Sequence, residues 1–364
     1  MEIRAIVKNI LLKINPTYRI ASRISSQLEN MQKSISSTFH HETKLLDMAV
    51  SHINVKLVFN LALNDSAFLN RVANFRNHLF DEVSKEHLDR YIKKAMIMPK
   101  FNIELPQKLK IPLNSNLFSD EDLIVLANHN EILNDLRSFY FKKYGKLEIP
   151  IHLHAHYYKC GMIYIPDRIM EKARASIAID GGAWVGDTAI ALNDYCFQQI
   201  HCFEPEPTAF EVLERNIKKI QHLGSFFLHN KGLGEKSGNI DFSSGLGNFG
   251  NSSSAAIREQ GTKISIEILS IDDFAKISKK RIGLIKIDVE GLEEQVLRGA
   301  EKTIVGDKPI LLCATYHERQ SPGQMFRIMD YLLSLNLCYK FIYRGMQPDC
   351  WFNLEYDLIC YVEE

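Results

Sequence analysis

The sequence predicts an α/β fold: a mostly parallel sheet with an antiparallel last strand over residues 146–364, preceded by an α-helical domain over 1–145. Three observations predict it. Short apolar runs recur through the second part, several ending in an acid or a glycine, with helical patterns after them. The chain closes on two runs in succession, 338–344 and 356–362, which suits an antiparallel ending. The first part shows helical spacing, with Pro106 and Pro112 marking a linker.

In that first part, Ile20, Ile24, Leu28, Met31 and Ile35 recur three or four residues apart, a long amphipathic helix with a narrow apolar seam. A seam of this kind could serve self-association, so a homo-oligomer through the N-terminal helices is one expectation. Segment 3–14 is apolar with Arg4, Lys8 and Lys13 interspersed; it could lie on a membrane surface, but core packing of an amphipathic helix explains it better. Further helices are predicted over 67–80, 85–98 and 120–144, and Ser119 with Asp122 three residues later is a helix start. None of these residues reveals a function.

At 46% hydrophobic and 24% charged, the composition is that of a soluble globular protein. Formal net charge is zero, so nothing global points to nucleic acid. The balance is uneven, with roughly five excess basic residues before 146 and about five excess acidic ones after it. The seven cysteines form no CxxC pair, which argues against a zinc site or a disulfide framework and fits a reducing, cytoplasmic setting. No run approaches the roughly 18 apolar residues of a membrane span, and no signal peptide is expected.

The run 151–156 alternates Ile-His-Leu-His-Ala-His like a strand, with His152, His154 and His156 on one face. Three imidazoles could hold a metal, but alternate residues of a strand stand about 6.5–7 Å apart, so all three cannot easily share one ion. A polar strand face or a wall beside a substrate fits better.

The stretch around which the second part is organised is 177–188. An apolar run ends at Asp180, and Gly181, Gly182 and Gly186 follow, leading into a helix start at Thr188. This is a buried strand, a tight turn and a helix N-terminus, where glycine lets backbone approach a ligand closely. A dinucleotide fingerprint needs a third-position glycine, and Ala183 stands there.

Gln199–Phe203 is the second strand, ending at Glu204 and Pro205, where an acid can accept both hydroxyls of a ribose. Ser225–His229 is the third, ending at Asn230, which could read an adenine amine or simply make a turn. Residues 240–243 and 264–269 form a strand pair; the glycine- and serine-rich 244–254 between them is a mobile lid or a solvated loop.

In Leu284-Ile-Lys-Ile-Asp-Val-Glu290, alternation puts Lys286 and Asp288 on one side of a strand. A lysine in an apolar run is costly unless paired, and Asp288 sits at the carboxyl end, where α/β sheets place their chemistry. The pair is either a structural ion pair or a tuned acid–base couple. A strand over 309–314 leads to Thr315-Tyr-His317, placing His317 on the same rim, and a helix over 323–335 follows.

Together, Asp180-Gly-Gly-Ala-Trp-Val-Gly-Asp-Thr188, Phe203-Glu-Pro-Glu-Pro207, Leu269-Ser-Ile-Asp-Asp273 and Ile285-Lys-Ile-Asp-Val-Glu-Gly291 resemble, in this order, the FkbM-type methyltransferase family. Tyr316-His317 and Tyr339-Lys-Phe341 resemble the ending of one of its bacterial branches. The likeness covers about 155–364 and leaves the helical part unassigned. It implies a Rossmann-like methyltransferase sheet, S-adenosylmethionine (SAM) as donor, and usually O-methylation, often of sugars, glycans or natural-product hydroxyls. It also implies SAM contacts at Asp180, Gly182, Gly186 and Glu204; Gly181 and Asn230 join them as cofactor-side candidates.

For catalysis, the residues point to Asp288 as leading general base, Lys286 tuning it, and His317 as the alternative base. A divalent metal on Asp288 and Glu290 would be compatible, but the sequence offers no complete ligand set. Two other functions use the same features: a nicotinamide-dependent oxidoreductase, and a carbohydrate-binding or assembly module with a vestigial cofactor site.

Overall fold

A computed structural model describes residues 66–97, 119–220, 225–244, 262–317, 323–347 and 355–363. The predicted seam over 20–35, segment 3–14 and nearly all of 244–254 lie outside the described residues.

Among the described residues, ten strands form two sheets. They are β1 (Ile177–Gly181), β2 (Gln199–Phe203), β3 (Ser225–His229), β4 (Gly232–Leu233), β5 (Gly238–Ser244), β6 (Thr262–Leu269), β7 (Ile282–Ile287), β8 (Ile310–Ala314), β9 (Tyr339–Gly345) and β10 (Tyr356–Val362). The main sheet has the order β3-β2-β1-β7-β8-β10-β9, and β4-β6-β5 form the second. Strand β10 is antiparallel to both of its neighbours, whereas the other main-sheet pairs are parallel. This is the mostly parallel sheet with a reversed last strand, flanked by helices, that the sequence predicts.

Alternation along the central strands builds a core on each face. On β1, β7 and β8, Ile179, Ile285, Ile287, Leu311 and Cys313 pack into one layer. Ala178, Leu284, Ile310 and Leu312 pack into the other. Both layers are apolar because helices cover both faces of a parallel sheet.

The chain winds outward from β1 in one direction and from β7 in the other, so the strand order reverses between them. A crevice opens at such a point, at the carboxyl ends of the strands. The β1–β7 register places Asp180 beside Lys286, and that of β1–β2 places Gly181 beside Phe203. These pairings decide which residues reach the crevice.

Helices α1 (Ser66–His78) and α2 (Glu82–Ile97) pack against the sheet. Phe80 N–H donates to the Phe341 carbonyl of β9 at 2.8 Å, and Leu79 bridges to Phe341. Ser84 Oγ accepts from Tyr343 N and from Arg344 Nη1, while Arg344 also pairs with Asp81 at 3.1 Å. The outer edge of β9 is thereby covered, which removes a free strand edge.

Two expectations are corrected here. The helix predicted over 120–144 is two helices, α3 (Asp120–Ala127) and α4 (His129–Tyr144). Asn128 separates them: its side-chain amide donates to the Ile124 carbonyl at 2.8 Å, a local bond that competes with continued helix. The start at Ser119 is a full capping box with Asp122.

The strand predicted over 151–156 is instead a π-helical turn, Leu153–Tyr157, closed by Tyr158 N–H on the Leu153 carbonyl at 2.9 Å. Leu153 and Ala155 are fully buried, and the histidines turn to different partners. His152 reaches Asp187 at 3.0 Å and His154 reaches Asp357 at 2.5 Å, both far away in sequence. Buried carboxylates hold these rings more firmly than strand alternation would.

Candidate active site

The turn after β1 is held from three sides. Gly182 and Ala183 N–H groups donate to the Phe203 carbonyl at 3.0 Å each, and Asp288 N–H donates to the Gly181 carbonyl at 3.0 Å. Gly182 has φ 72°, and a Cβ there would stand 1.8 Å from the Asp288 carbonyl oxygen. Only glycine allows this approach of β1 and β7. Gly186, at φ 96°, precedes helix α6 (Asp187–Asp194), numbered after α5 (Asp167–Arg174).

Asp180 and Lys286 lie beneath the turn. Asp180 is fully buried, accepts from Thr188 Oγ1 at 2.5 Å and pairs with Lys286 Nζ at 3.3 Å. The ammonium also donates to the carbonyls of Gly182 at 2.9 Å and Gly181 at 3.4 Å, and stands 3.8 Å from Asp288. Burial works against its charge, but Asp180, Asp288 and Asp187 outweigh it and keep Lys286 protonated. Lys286 is therefore first a clamp on the glycine turn and only secondarily a neighbour of Asp288.

Above the turn is a cavity of about 450 Å³, the size of a small-molecule site. Gly182, Trp184, Phe203 and Glu204 line it at the β1–β2 side, with Leu233, Ile240, Ile266 and Ile268 of the second sheet. Asp288, Val289 and Glu290 line it after β7, Tyr316 and His317 after β8, and His152 and His154 from the π-helical turn. Asp180, Gly181, Gly186 and Asn230 are not on its wall. Asn230 serves the turn, its amide donating to the Glu204 carbonyl at 2.9 Å and to that of Pro205 at 3.3 Å.

Glu204 is held by backbone: Trp184 N–H donates to Oε2 at 2.9 Å and Glu206 N–H to Oε1 at 2.8 Å. Burial raises its pKa to about 7, although those two bonds favour the charged form.

The opposite wall is acidic. Asp288 Oδ2 accepts from Tyr316 OH at 2.9 Å, and its Oδ1 stands 3.6 Å from His317 Nε2. Asp288 is half-buried; that burial works against its charge, but Lys286 and His317 hold its carboxyl below the usual range. His317 Nδ1 donates to Glu293 Oε1 at 2.7 Å. Burial opposes charge on the ring, yet Glu293, Glu290 and Asp288 raise its pKa to about 10.

Glu293 is fully buried and also accepts from Val289 N–H at 3.0 Å, Gly291 N–H at 3.2 Å and Gln324 Nε2. Sequence reasoning passed over it. The available signal was its place on the apolar stripe with Val296, Leu297 and Ala300, where an acid must have a buried partner. Asp187, on the wall and bonded to His152, was also passed over.

Residues 180–341 match the family model for the methyltransferase FkbM domain. Over that span the chain is similar to the FkbM methyltransferase domain. The matched span runs from the glycine turn into β9 and contains Glu204, Asp288, Glu293 and His317. A curated relative, "Methyltransferase 1" of Beauveria bassiana (strain ARSEF 2860), is 26% identical over 192 residues, 46% of this chain and 74% of its own.

Among solved structures, methyltransferase FkbM from Methylobacillus flagellatus KT matches at 17% identity and a TM-score of 0.49, over 80% of this chain. The chain spans 58% of the length of that FkbM protein. An rRNA methylase from Streptococcus thermophilus matches at 10% identity and a TM-score of 0.34, over 54% of this chain and 93% of its own. Among the described residues, no helix is long and apolar enough to cross a membrane.

Proposed function

We propose that the protein is a SAM-dependent O-methyltransferase acting on a hydroxyl of a sugar, glycan or related small molecule. The observation that carries this is one cavity with two unlike walls: Gly182 and Glu204 on one side, and Asp288 with His317 on the other. The first wall suits a nucleoside, with Glu204 accepting from the ribose hydroxyls and the apolar residues of the second sheet beside the base. The second wall suits a hydroxyl-bearing acceptor.

SAM, held by Glu204 and the Gly182 turn, would supply a methyl group to the acceptor oxygen, the new O–C bond replacing its C–S bond and a neutral thioether leaving. Asp288 takes the hydroxyl proton, and alignment of donor and acceptor supplies much of the acceleration. Residues 1–145 serve acceptor positioning or self-association in this proposal, and the scattered cysteines fit a cytoplasmic enzyme. Intact-mass screening of nucleotide sugars and glycans with SAM tests the acceptor class. Absence of SAM binding in calorimetry would overturn the whole assignment.

Glu204→Ala is expected to weaken SAM by about 2–4 kcal/mol, the loss of two bonds to a charged acceptor. Unchanged affinity by calorimetry would remove Glu204 from the ribose.

The raised pKa of Glu204 also sets a pH dependence. Folding lifts it from near 4.5 to about 7, so the apo fold gains from the bound proton at low pH and loses that contribution as pH rises through 7. A ribose acceptor needs the carboxylate, so ligand affinity moves the opposite way. S-adenosylhomocysteine should bind more weakly at pH 6 than at pH 8, and binding near pH 7 should release protons. Glu204→Gln should flatten both effects; an unchanged pH dependence in that variant assigns the titration elsewhere.

A further inference from the structure

We propose that the acidic wall of the cavity is a divalent-cation site, with His317 Nε2, Asp288 Oδ1 and Glu290 Oε2 as protein donors and Glu293 as the carboxylate that orients the ring. The sequence supplies two acids near one another; the fold adds the imidazole and the support behind it.

His317 is 6% exposed, and its Nε2 faces Asp288 Oδ1 at 3.6 Å and Glu290 Oε2 at 3.9 Å. Those separations exceed a hydrogen bond. They are the distances at which donors stand from one another when each is about 2.0–2.3 Å from a shared ion. Donor atoms of Asp288, Glu293 and His317 all lie within 4.8 Å of one another; Glu290 is outside that group and joins through its 3.9 Å approach to Nε2.

The support is specific. Glu293 holds Nδ1 at 2.7 Å, so an ion that displaces the Nε2 proton would meet a lone pair already turned toward Asp288 and Glu290. Glu293 itself is fully buried and bonded to two backbone N–H groups and Gln324, so it orients the ring and is not a free donor. Carboxylates orienting the far nitrogen of a histidine are the usual outer layer of metal sites.

Charge points the same way. Three carboxylates, Asp288, Glu290 and Glu293, converge on one imidazole. The neighbouring cation, Lys286, is held 3.3 Å from Asp180 and donates to the Gly182 carbonyl. One imidazole with two carboxylates is a mixed set that suits Mn²⁺, and also Mg²⁺ or Zn²⁺. Three protein donors leave positions for water or a hydroxyl. On the methyl-transfer proposal above, a hydroxyl placed there would lose its proton more readily. That role rests on the proposal; the site does not.

Mn²⁺ alone, added to the full chain without SAM or acceptor and followed by loss of the free-ion electron paramagnetic resonance signal, tests it. One saturable site is expected. Glu293→Gln should weaken it about 10- to 100-fold, and His317→Gln should abolish saturation. Glu290→Gln is the safeguard against misfolding: this side chain is 37% exposed, so the fold should persist while Mn²⁺ binds at least about tenfold more weakly. No saturable binding to the native chain, or equal affinity in folded Glu290→Gln and His317→Gln, would overturn the site. S-adenosylhomocysteine binding on the same samples keeps this outcome separate from failure of the methyltransferase assignment.

Discussion

Asp288→Asn is expected to abolish methyl transfer while leaving SAM binding largely intact. Asp288 follows β7 on the wall opposite Glu204, and Gly182 approaches its backbone closely, so on the methyl-transfer proposal donor and acceptor would meet beside it. An alcohol is a poor nucleophile until its proton is removed, and a placed carboxylate contributes about 100- to 10,000-fold. Asparagine keeps the shape and the bond from Tyr316 but cannot take the proton. Lys286 retains Asp180 and the two glycine carbonyls, so the cofactor wall should hold. The measurement is single-turnover transfer at saturating SAM with an acceptor found by the mass screen, beside thermal unfolding. Full activity in folded Asp288→Asn would remove Asp288 from the mechanism.

Lys286→Met should be the most destabilising single change in the site. Methionine fills similar space, but the substitution leaves Asp180 fully buried with Thr188 Oγ1 as its remaining donor. The Gly182 carbonyl also loses its ammonium partner. Breaking a buried pair from one side costs about 3–5 kcal/mol. The glycine turn loses its clamp with the ion pair, so SAM binding should fall along with the melting temperature.

Asp180→Asn in the same chain should recover part of the stability, because no unpaired charge then remains. A double-mutant cycle by chemical denaturation measures this coupling. If Lys286→Met melts like the native protein, Asp180 is protonated in the native state and the ion pair described here does not operate.

Much of the site was legible in the sequence because strand ends are local features. An apolar run that stops at Asp180, Glu204 or Asp288 announces the rim of a parallel sheet, and glycines announce a turn. Gly182, Glu204, Asp288 and His317 do lie around one cavity, since every parallel strand delivers its carboxyl end to the same edge. The histidines of 151–156 misled for a related reason. Alternation is a local signal, and it is overridden when buried Asp187 and Asp357 offer His152 and His154 stronger partners.

By itself, then, the sequence determined the strand order of events along the chain, the glycine turn and the acids at the strand ends. Those depend on periodicity and on residues a few positions apart. Only the tertiary structure decided that Lys286 reaches Asp180 more closely than Asp288, because that follows from the β1–β7 register. It alone decided that Asp180 lies beneath the cavity wall and that Glu293 stands behind His317. The physical reason is one and the same: the partner of a buried charge is chosen by register and packing across residues far apart in the chain, and no local pattern records that choice.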